Sequence, residues 1–188
     1  MDVYEAIRDR RTIRRFRQSP VPREVVERIV DAGRMAPSAG NRQPVRYVVV
    51  AEPGRCDQIF EQLAWLAAAG QPPRGARPTA YIVVLGDTLV NASYQADCAA
   101  AVQNIQLAAW AEGLGCCWIG SLKRGPVAEL LALPAHLEIY AVLALGWPAE
   151  QPVAEEAQNG AAAYRDGKGV LHVPKLPLQV VMRFEQWG

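Results

Sequence analysis

A run of arginines beside a hydroxyl group is the first part of the sequence that could bind a ligand. Six arginines lie between Arg8 and Arg17, and Thr12 lies among them. Guanidinium groups offer planar forks of N–H donors, and a hydroxyl adds another hydrogen bond, so the run suits a phosphate or another anionic group. The alternative is a solvated face at a helix C-terminus, where the helix dipole favours cations. That alternative is favoured for Arg8, Arg15 and Arg17.

A second segment, from Ala36 to Pro44, reads A-P-S-A-G-N-R-Q-P and precedes the apolar strand candidate Val45 to Val50. Its small and amide-bearing residues are turn formers, so one interpretation is a simple helix-to-strand connection. The amides and hydroxyl could also contact a polar ligand. The sequence by itself leaves both interpretations open.

A third segment, from Gly113 to Gly120, reads G-L-G-C-C-W-I-G. A predicted helix precedes these glycines, whereas the glycines of a dinucleotide-binding loop open a helix, so this is not a Rossmann fingerprint. One interpretation is a buried strand with Trp118 in the core. On a strand, the adjacent Cys116 and Cys117 would point to opposite faces. Glycine here would also let backbone approach a ligand closely.

At this spacing the segments resemble the flavin-binding signature of the nitroreductase family. The family pattern Arg-Arg-Ser-x-Arg-x-Phe/Tyr matches the first segment, with Thr12 keeping the hydroxyl of the usual serine. Pro-Ser-Ala-x-Asn-x-Gln-Pro-aromatic matches the second, although Val45 replaces the aromatic residue. Gly-x-Gly-x-x-Trp-Ile-Gly matches the third. Residues 144–150 also resemble a family segment, which we interpret as structural. Residues 173–178 resemble a segment that in the family usually holds two consecutive basic residues, of which Lys175 keeps one.

The resemblance implies an FMN site. Arg10 and Thr12 would lie near the phosphate, Arg14 near the pyrimidine edge, and the segment containing Pro37 and Ser38 would reach the flavin of a second subunit. The full set of cofactor-binding residues implied is Arg10, Arg11, Thr12, Arg14, Pro37, Ser38, Ala39, Asn41, Gln43, Trp118, Ile119, Gly120 and Lys175. No side chain is expected to be catalytic and no metal is expected, because flavin N5 carries the hydride.

The resemblance further implies a homodimeric oxidoreductase with the flavin at the subunit interface. NADH or NADPH would donate a hydride, and a nitroaromatic, a quinone or a similar small acceptor would follow at the same place with ping-pong kinetics. Alternatives within the family are reductive dehalogenation or flavin fragmentation, which generally need longer lids than the eleven residues between Leu85 and Asp97. A non-catalytic FMN store or sensor is a third possibility. Trp65 and the loop 70–78 are lid candidates.

Composition limits the other classes of function. The formal net charge is +1, which supplies no global field for nucleic acid or anionic membrane. No apolar run is long enough to span a bilayer, and no secretory signal is visible. The four cysteines lack disulfide or metal-ligand spacing, so we expect a reduced, cytoplasmic protein.

The elements that must position these residues follow from periodicity and turn signals. We predict helices over 3–9, from Pro22 through Val30, from Ile59 to near Gly70, from an Asp97 cap to Gly113, and from Pro126 to Leu133. We predict strands over 45–50, 81–85, 116–119 and 139–145, and a loop over 71–78. Nearly continuous apolar strands indicate a sheet covered by helices on both faces.

The expected fold is therefore a single α+β domain over 1–188. The resemblance implies a three-layer nitroreductase-like fold with a mainly antiparallel central sheet. The extension 151–188 lacks the periodicity of a separate core, and we expect it to wrap the dimer partner.

Overall fold

The computed structural model describes residues 2–67, 69–158 and 160–187. Its helices are α1 (Val3–Asp9), α2 (Arg23–Arg34), α3 (Pro53–Phe60), α4 (Gln95–Ala111), α5 (Arg124–Leu130) and α6 (Leu178–Val181). Its strands are β1 (Val45–Val50), β2 (Ala80–Asp87), β3 (Gly115–Ile119), β4 (Leu137–Gly146), β5 (Val153–Glu156), β6 (Tyr164–Arg165) and β7 (Leu171–Lys175). Two short 3-10 turns lie at Ala39–Asn41 and Arg74–Ala76.

The central sheet has the strand order β1-β2-β4-β3, and each neighbouring pair is antiparallel. Because side chains alternate along a strand, β2 serves two cores. Ile82 packs with residues of α2 and α4 on one face, while Tyr81 packs with residues of α3 and α5 on the other. Cys116 and Cys117 likewise divide between the two cores. These observations confirm the predicted three-layer α+β arrangement.

The predicted cap of the first helix is confirmed, and the second helix begins at Arg23, one residue after its predicted start. The Asp2 carboxylate accepts from the Glu5 N–H at 2.8 Å, and the Asp2 N–H donates to the Glu5 carboxylate at 3.0 Å, which is a capping box. Helix α2 follows Pro22, and its buried residues are Val25, Val26, Ile29 and Gly33.

The helix predicted from Ile59 to Gly70 is wrong in position. Helix α3 spans Pro53–Phe60. It starts upstream of the prediction because the Glu52 carboxylate caps the Gly54 and Arg55 N–H groups. Beyond it the Ala64 N–H donates to the Ser121 carbonyl at 2.9 Å, which draws the chain out of helical geometry.

Two further boundaries differ from the prediction. Asp97 does not cap α4: it lies in the first turn, and its carboxylate accepts from the Ala39 N–H at 3.0 Å instead. A tertiary partner thus takes the oxygen that a local cap would have used. Helix α5 begins at Arg124, two residues before Pro126, and ends at Leu130.

The arginine run lies along the free edge of β3. Thr12 forms a parallel bridge with Cys116, and the Ile13 N–H donates to the Cys116 carbonyl at 3.1 Å. Ile13 and Phe16 are fully buried and fix the run on the sheet. Arg14 and Arg15, which lie between them, are half-buried.

The extension forms a small second sheet with the order β5-β7-β6. Strand β5 is parallel to β7, and β6 is antiparallel to it. Beyond β7 the chain presents a series of exposed apolar side chains: Leu176, Leu178, Val180, Val181, Met182, Phe184 and Trp187. Whether this segment wraps a partner stays a prediction.

Candidate functional site

A cavity of about 370 Å³ lies beside the end of β3. Arg14 forms one side, Trp65 and its neighbours Ala64, Leu66 and Ala67 form a second, and 117–121 forms the third. The structure thus brings Arg14 together with Trp118, Ile119 and Gly120, which the sequence predicted as one site from two distant motifs.

Two residues of this cavity carry a buried N–H donor that has no hydrogen-bond partner among the described residues: Nε of Arg14 and Nε1 of Trp65. Nη1 of Arg10, which does not line the cavity, is buried and unpaired as well. Arg14 and Trp65 line the same cavity. Because an unpaired buried donor is costly, such groups favour a ligand rich in hydrogen-bond acceptors.

Backbone is also accessible here. Among the described residues, no heavy atom within 4 Å would contact a Cβ at Gly120 beyond its chain neighbours. By contrast, a Cβ at Gly115 would meet Ile13 at 2.6 Å. Gly115 and Gly120 of this motif therefore differ: Gly115 allows the arginine run to approach β3, and Gly120 borders open space.

Glu150 holds the backbone that carries Arg14. One of its carboxylate oxygens accepts from the Arg14 N–H at 2.7 Å and from the Arg15 N–H at 3.2 Å. The other accepts from Nη2 of Arg165 at 2.9 Å. The Glu150 side chain is only 9% exposed and that of Arg165 18%. The family-like motif at 144–150 contained Glu150, but no local signal in the sequence marked Arg165.

Arg11 and Lys175 lie together in a different place. Both line a second pocket of about 500 Å³, which also contains Glu155 and Glu156. The Arg11 guanidinium donates to the carbonyls of Arg8 and Arg10. Burial and the nearby Arg10 charge lower the pKa of Arg11. These two predicted cofactor-binding residues thus line one pocket, which is not the pocket of Arg14.

The segment containing Pro37, Ser38 and Gln43 lines a third pocket, between α2 and β1. The Gln43 N–H donates to the Ser38 hydroxyl at 3.0 Å, and Ala39 is bound to Asp97. Asn41 and Gln43 both have a φ of 53°, which is uncommon for non-glycine residues and requires such local support. Within one chain, this segment does not join the Arg14 cavity.

Cys117 borders the cavity and is buried. Burial raises the pKa of its thiol to about 11, against a lowering influence of the Arg14 charge. The thiol is therefore protonated at neutral pH and behaves as a small apolar group. Cys116 is buried on the opposite face of β3, and burial raises its pKa as well.

Of the two lid candidates, only Trp65 lines this cavity among the described residues. Its ring packs against Phe60 with centroids 5.5 Å apart. The loop 70–78 packs elsewhere: the Ala76 carbonyl accepts from Phe16 at 3.0 Å, and Arg77 forms ion pairs with Asp57 and Glu61.

Across 2–67, 69–158 and 160–187, no group of three or more His, Cys, Asp or Glu side chains is placed to hold a metal ion. None of the helices in this part of the chain combines the length and apolar character needed to cross a membrane.

Comparison with known proteins agrees with these motifs. The model of the nitroreductase family matches residues 7–82 and 88–147. A Methanothermobacter thermautotrophicus protein described as NADH dehydrogenase/NAD(P)H nitroreductase is 35% identical over 158 residues, covering 81% of this chain and 80% of its own. A 5,6-dimethylbenzimidazole synthase of Rhodospirillum rubrum is 30% identical over 180 residues, covering 80% and 84%.

A solved structure extends this likeness to the whole chain. It is that of a Desulfovibrio desulfuricans protein described as a nitroreductase in complex with FMN. It is 32% identical, with a TM-score of 0.71, over 100% of this chain and 99% of that one. The family model, the relatives and the fold agree, and the chain belongs to the nitroreductase family.

Proposed function

We propose that this protein is an FMN-dependent oxidoreductase that uses NADH or NADPH to reduce nitroaromatic, quinone or similar small acceptors. One observation carries the proposal: Arg14 and Trp65 each have a buried N–H donor without a hydrogen-bond partner among the described residues, and both residues line a single cavity together with Gly120. A flat ligand with several acceptor atoms on its edge meets those requirements.

The residues present fit FMN. Arg14 and Trp65 offer donors to ring oxygens or nitrogens, and the fixed charge of Arg14 stabilises negative charge on a ligand in the cavity. Arg10, with an unpaired buried donor, and Thr12 lie on the same run and suit the phosphate end. Arg11 and Lys175 line a separate pocket of the same chain, so a contact of either with the cofactor stays a proposal. When bound, FMN supplies the hydride transfer, so the side chains have only to bind, orient and exclude water.

The proposed assembly is a homodimer with the cofactor at the interface. Pro37, Ser38, Ala39, Asn41 and Gln43 lie away from the Arg14 cavity of their own chain, and in a dimer they would serve the partner's site. A groove of about 790 Å³ with a valine-rich floor runs between α2 and the edge strand β1. The exposed apolar residues of the extension offer a complementary surface.

Four buried free cysteines fit a reducing compartment such as the cytoplasm.

The first test is an absorbance spectrum of the purified protein before and after anaerobic addition of NADH. Flavin bands that bleach, with FMN released on denaturation, would support the proposal. Bands that persist with both NADH and NADPH would instead favour a storage or sensor protein. A colourless protein that takes up no added FMN would contradict the cofactor assignment.

A matched pair of variants tests the site itself. Arg14→Met removes the unpaired donor and should weaken FMN binding by roughly tenfold or more, the usual effect of losing a charge-assisted hydrogen bond. Arg17→Met, on the exposed end of the same run, should leave FMN affinity unchanged.

Parallel double-reciprocal plots for NADH and a quinone would support ping-pong kinetics, in which both substrates use one place in turn.

A second candidate function rests on the similarity to the 5,6-dimethylbenzimidazole synthase of Rhodospirillum rubrum. That similarity keeps specialised flavin chemistry, such as flavin fragmentation, as an alternative. Incubation with FMN, NADH and oxygen followed by mass spectrometry would detect a benzimidazole product. Its absence, with sustained acceptor reduction, would leave the first function.

A further inference from the structure

Arg165, in the C-terminal extension, makes an unusually complete set of contacts for a residue outside the recognised motifs. Its Nε and Nη2 both donate to the Ala69 carbonyl, at 3.1 and 3.0 Å. Its Nη1 donates to the Gly169 carbonyl at 2.7 Å, and Nη2 also donates to Glu150 at 2.9 Å. Its guanidinium therefore links three separate parts of the chain.

The first of these parts is the wall of the candidate site. The segment 64–67 lines the cavity opposite Arg14, and it is outside any helix or strand. One end is fixed by the bond from the Ala64 N–H to Ser121. At the other end, the Ala69 N–H closes a turn onto the Leu66 carbonyl at 3.0 Å, and Ala69 itself is buried against Arg165. Without Arg165, this second end would depend on local turn contacts.

The second part is the backbone of Arg14, reached through Glu150. One carboxylate oxygen of Glu150 binds the Arg14 and Arg15 N–H groups, and the other binds Arg165. The pair is largely shielded from water, so its charge-assisted bonds are screened little. A change at Arg165 therefore acts on both sides of the cavity.

We propose that Arg165 is a positioning residue that fixes the 64–67 wall relative to Arg14, so that the extension sets the width of the cavity and hence which flat acceptors enter. The claim about acceptors rests on the proposed function. The claim that Arg165 holds the 64–67 wall in place, called the tether below, does not rest on it. The planar fork matters, because one cation must reach two carbonyls and a carboxylate at once.

The test compares three variants. Arg165→Met removes the charge and all four bonds. Arg165→Lys keeps a charge for Glu150 but lacks the fork that reaches Ala69 as well. Arg183→Met makes the same substitution at an exposed position of the extension and serves as the control.

Hydrogen exchange followed by mass spectrometry on the unliganded protein is the first readout. We expect amides over 64–70 to exchange about tenfold faster in both Arg165 variants, the effect of losing charge-assisted bonds. Arg183→Met should match the wild type. Exchange over 64–70 that is unchanged in both Arg165 variants, or equally faster across the whole chain, would overturn the tether. If Arg165→Met does not fold, Arg165→Lys decides the question.

Acceptor selectivity is the second readout, on FMN-loaded protein. We expect kcat/KM for a bulky quinone relative to benzoquinone to rise about tenfold in Arg165→Met, because a loosened wall admits larger rings, while Arg183→Met keeps the wild-type ratio. A fourth variant, Arg165→Ala, leaves room for a free guanidinium ion, and adding that ion should restore the wild-type ratio. A ratio that does not change would overturn the selectivity part. Wild-type protein that binds no FMN would refute the proposed function, and the exchange experiment would still decide the tether.

Discussion

Replacing Gly115 with alanine tests whether the arginine run must approach β3 as closely as the structure shows. A Cβ at Gly115 would lie 2.6 Å from Cβ of Ile13, 2.7 Å from its Cγ2 and 2.8 Å from its Cγ1. Carbon atoms in contact are about 3.5–4.0 Å apart, so the separation falls short by about 1 Å. Rotation about χ1 cannot relieve this, because Cβ of Ile13 is fixed to its own backbone.

The cost follows from these distances. The backbone at Ile13 must retreat by about 1 Å, which would stretch its 3.1 Å bond to the Cys116 carbonyl beyond hydrogen-bonding range. Overpacking and one lost hydrogen bond together should lower the free energy of unfolding by about 2–3 kcal/mol. For a chain of this size that corresponds to a fall in Tm of roughly 5–10 °C. Because Arg14 is the next residue, FMN affinity should fall by about tenfold as well.

Thermal unfolding followed by circular dichroism, at one protein concentration, measures the first effect, and titration with FMN measures the second. Gly120→Ala is the matched comparison, since its Cβ would enter open space. It should leave the Tm of the unliganded protein within about 1 °C of the wild type, while crowding the cavity directly. If Gly115→Ala left both the Tm and FMN affinity unchanged, close approach of Ile13 to β3 would not be what positions Arg14.

Three further predictions concern other parts of the chain. Hydrogen bonds to Glu155 and Asp166 raise the pKa of His172, so its contribution to stability should be complete below about pH 6.5 and decline as the pH rises through the raised value. The variant His172→Gln should abolish this part of the pH dependence of Tm, and an unaltered profile would contradict it. A Cβ at Gly86 would lie 2.1 Å from the Tyr94 ring, so Gly86→Ala should destabilise the fold by about 1–3 kcal/mol in urea unfolding, and full stability would show that the ring can move. Burial raises the pKa of Cys56 to about 11 and that of Cys98 to about 12, so native protein should react with a thiol reagent far more slowly than denatured protein; equal rates would refute this.

The sequence predicted the central sheet well, because each strand is a short apolar run bounded by turn residues. All four predicted strands lie within observed ones, and both faces are covered by helices as their composition indicated. The first helix was equally readable, since Asp2 and Glu5 form its cap within a few residues of sequence. Prediction from sequence succeeded where the hydrogen bonds and packing contacts that define an element join residues close together in the chain.

Prediction failed where a distant partner competed for the same group. Asp97 has the features of a cap, but its carboxylate binds Ala39. The apolar residues after Ile59 have helical spacing, but the Ser121 carbonyl draws Ala64 out of a helix. In each case a tertiary hydrogen bond replaced the local one, and neither partner is near in sequence.

The sequence by itself identified the family and the residue types of the candidate site, because the arginine run and the glycine-containing strand are contiguous motifs. Only the tertiary structure showed that Arg14 and Gly120 share one cavity, that Arg11 and Lys175 lie apart from it, and that the Pro37 segment lines another pocket. It also assigned Glu150 and Arg165 to the support of that cavity. The physical reason is that a hydrogen bond depends on distance in space, and the folded chain sets these distances between residues far apart in the sequence.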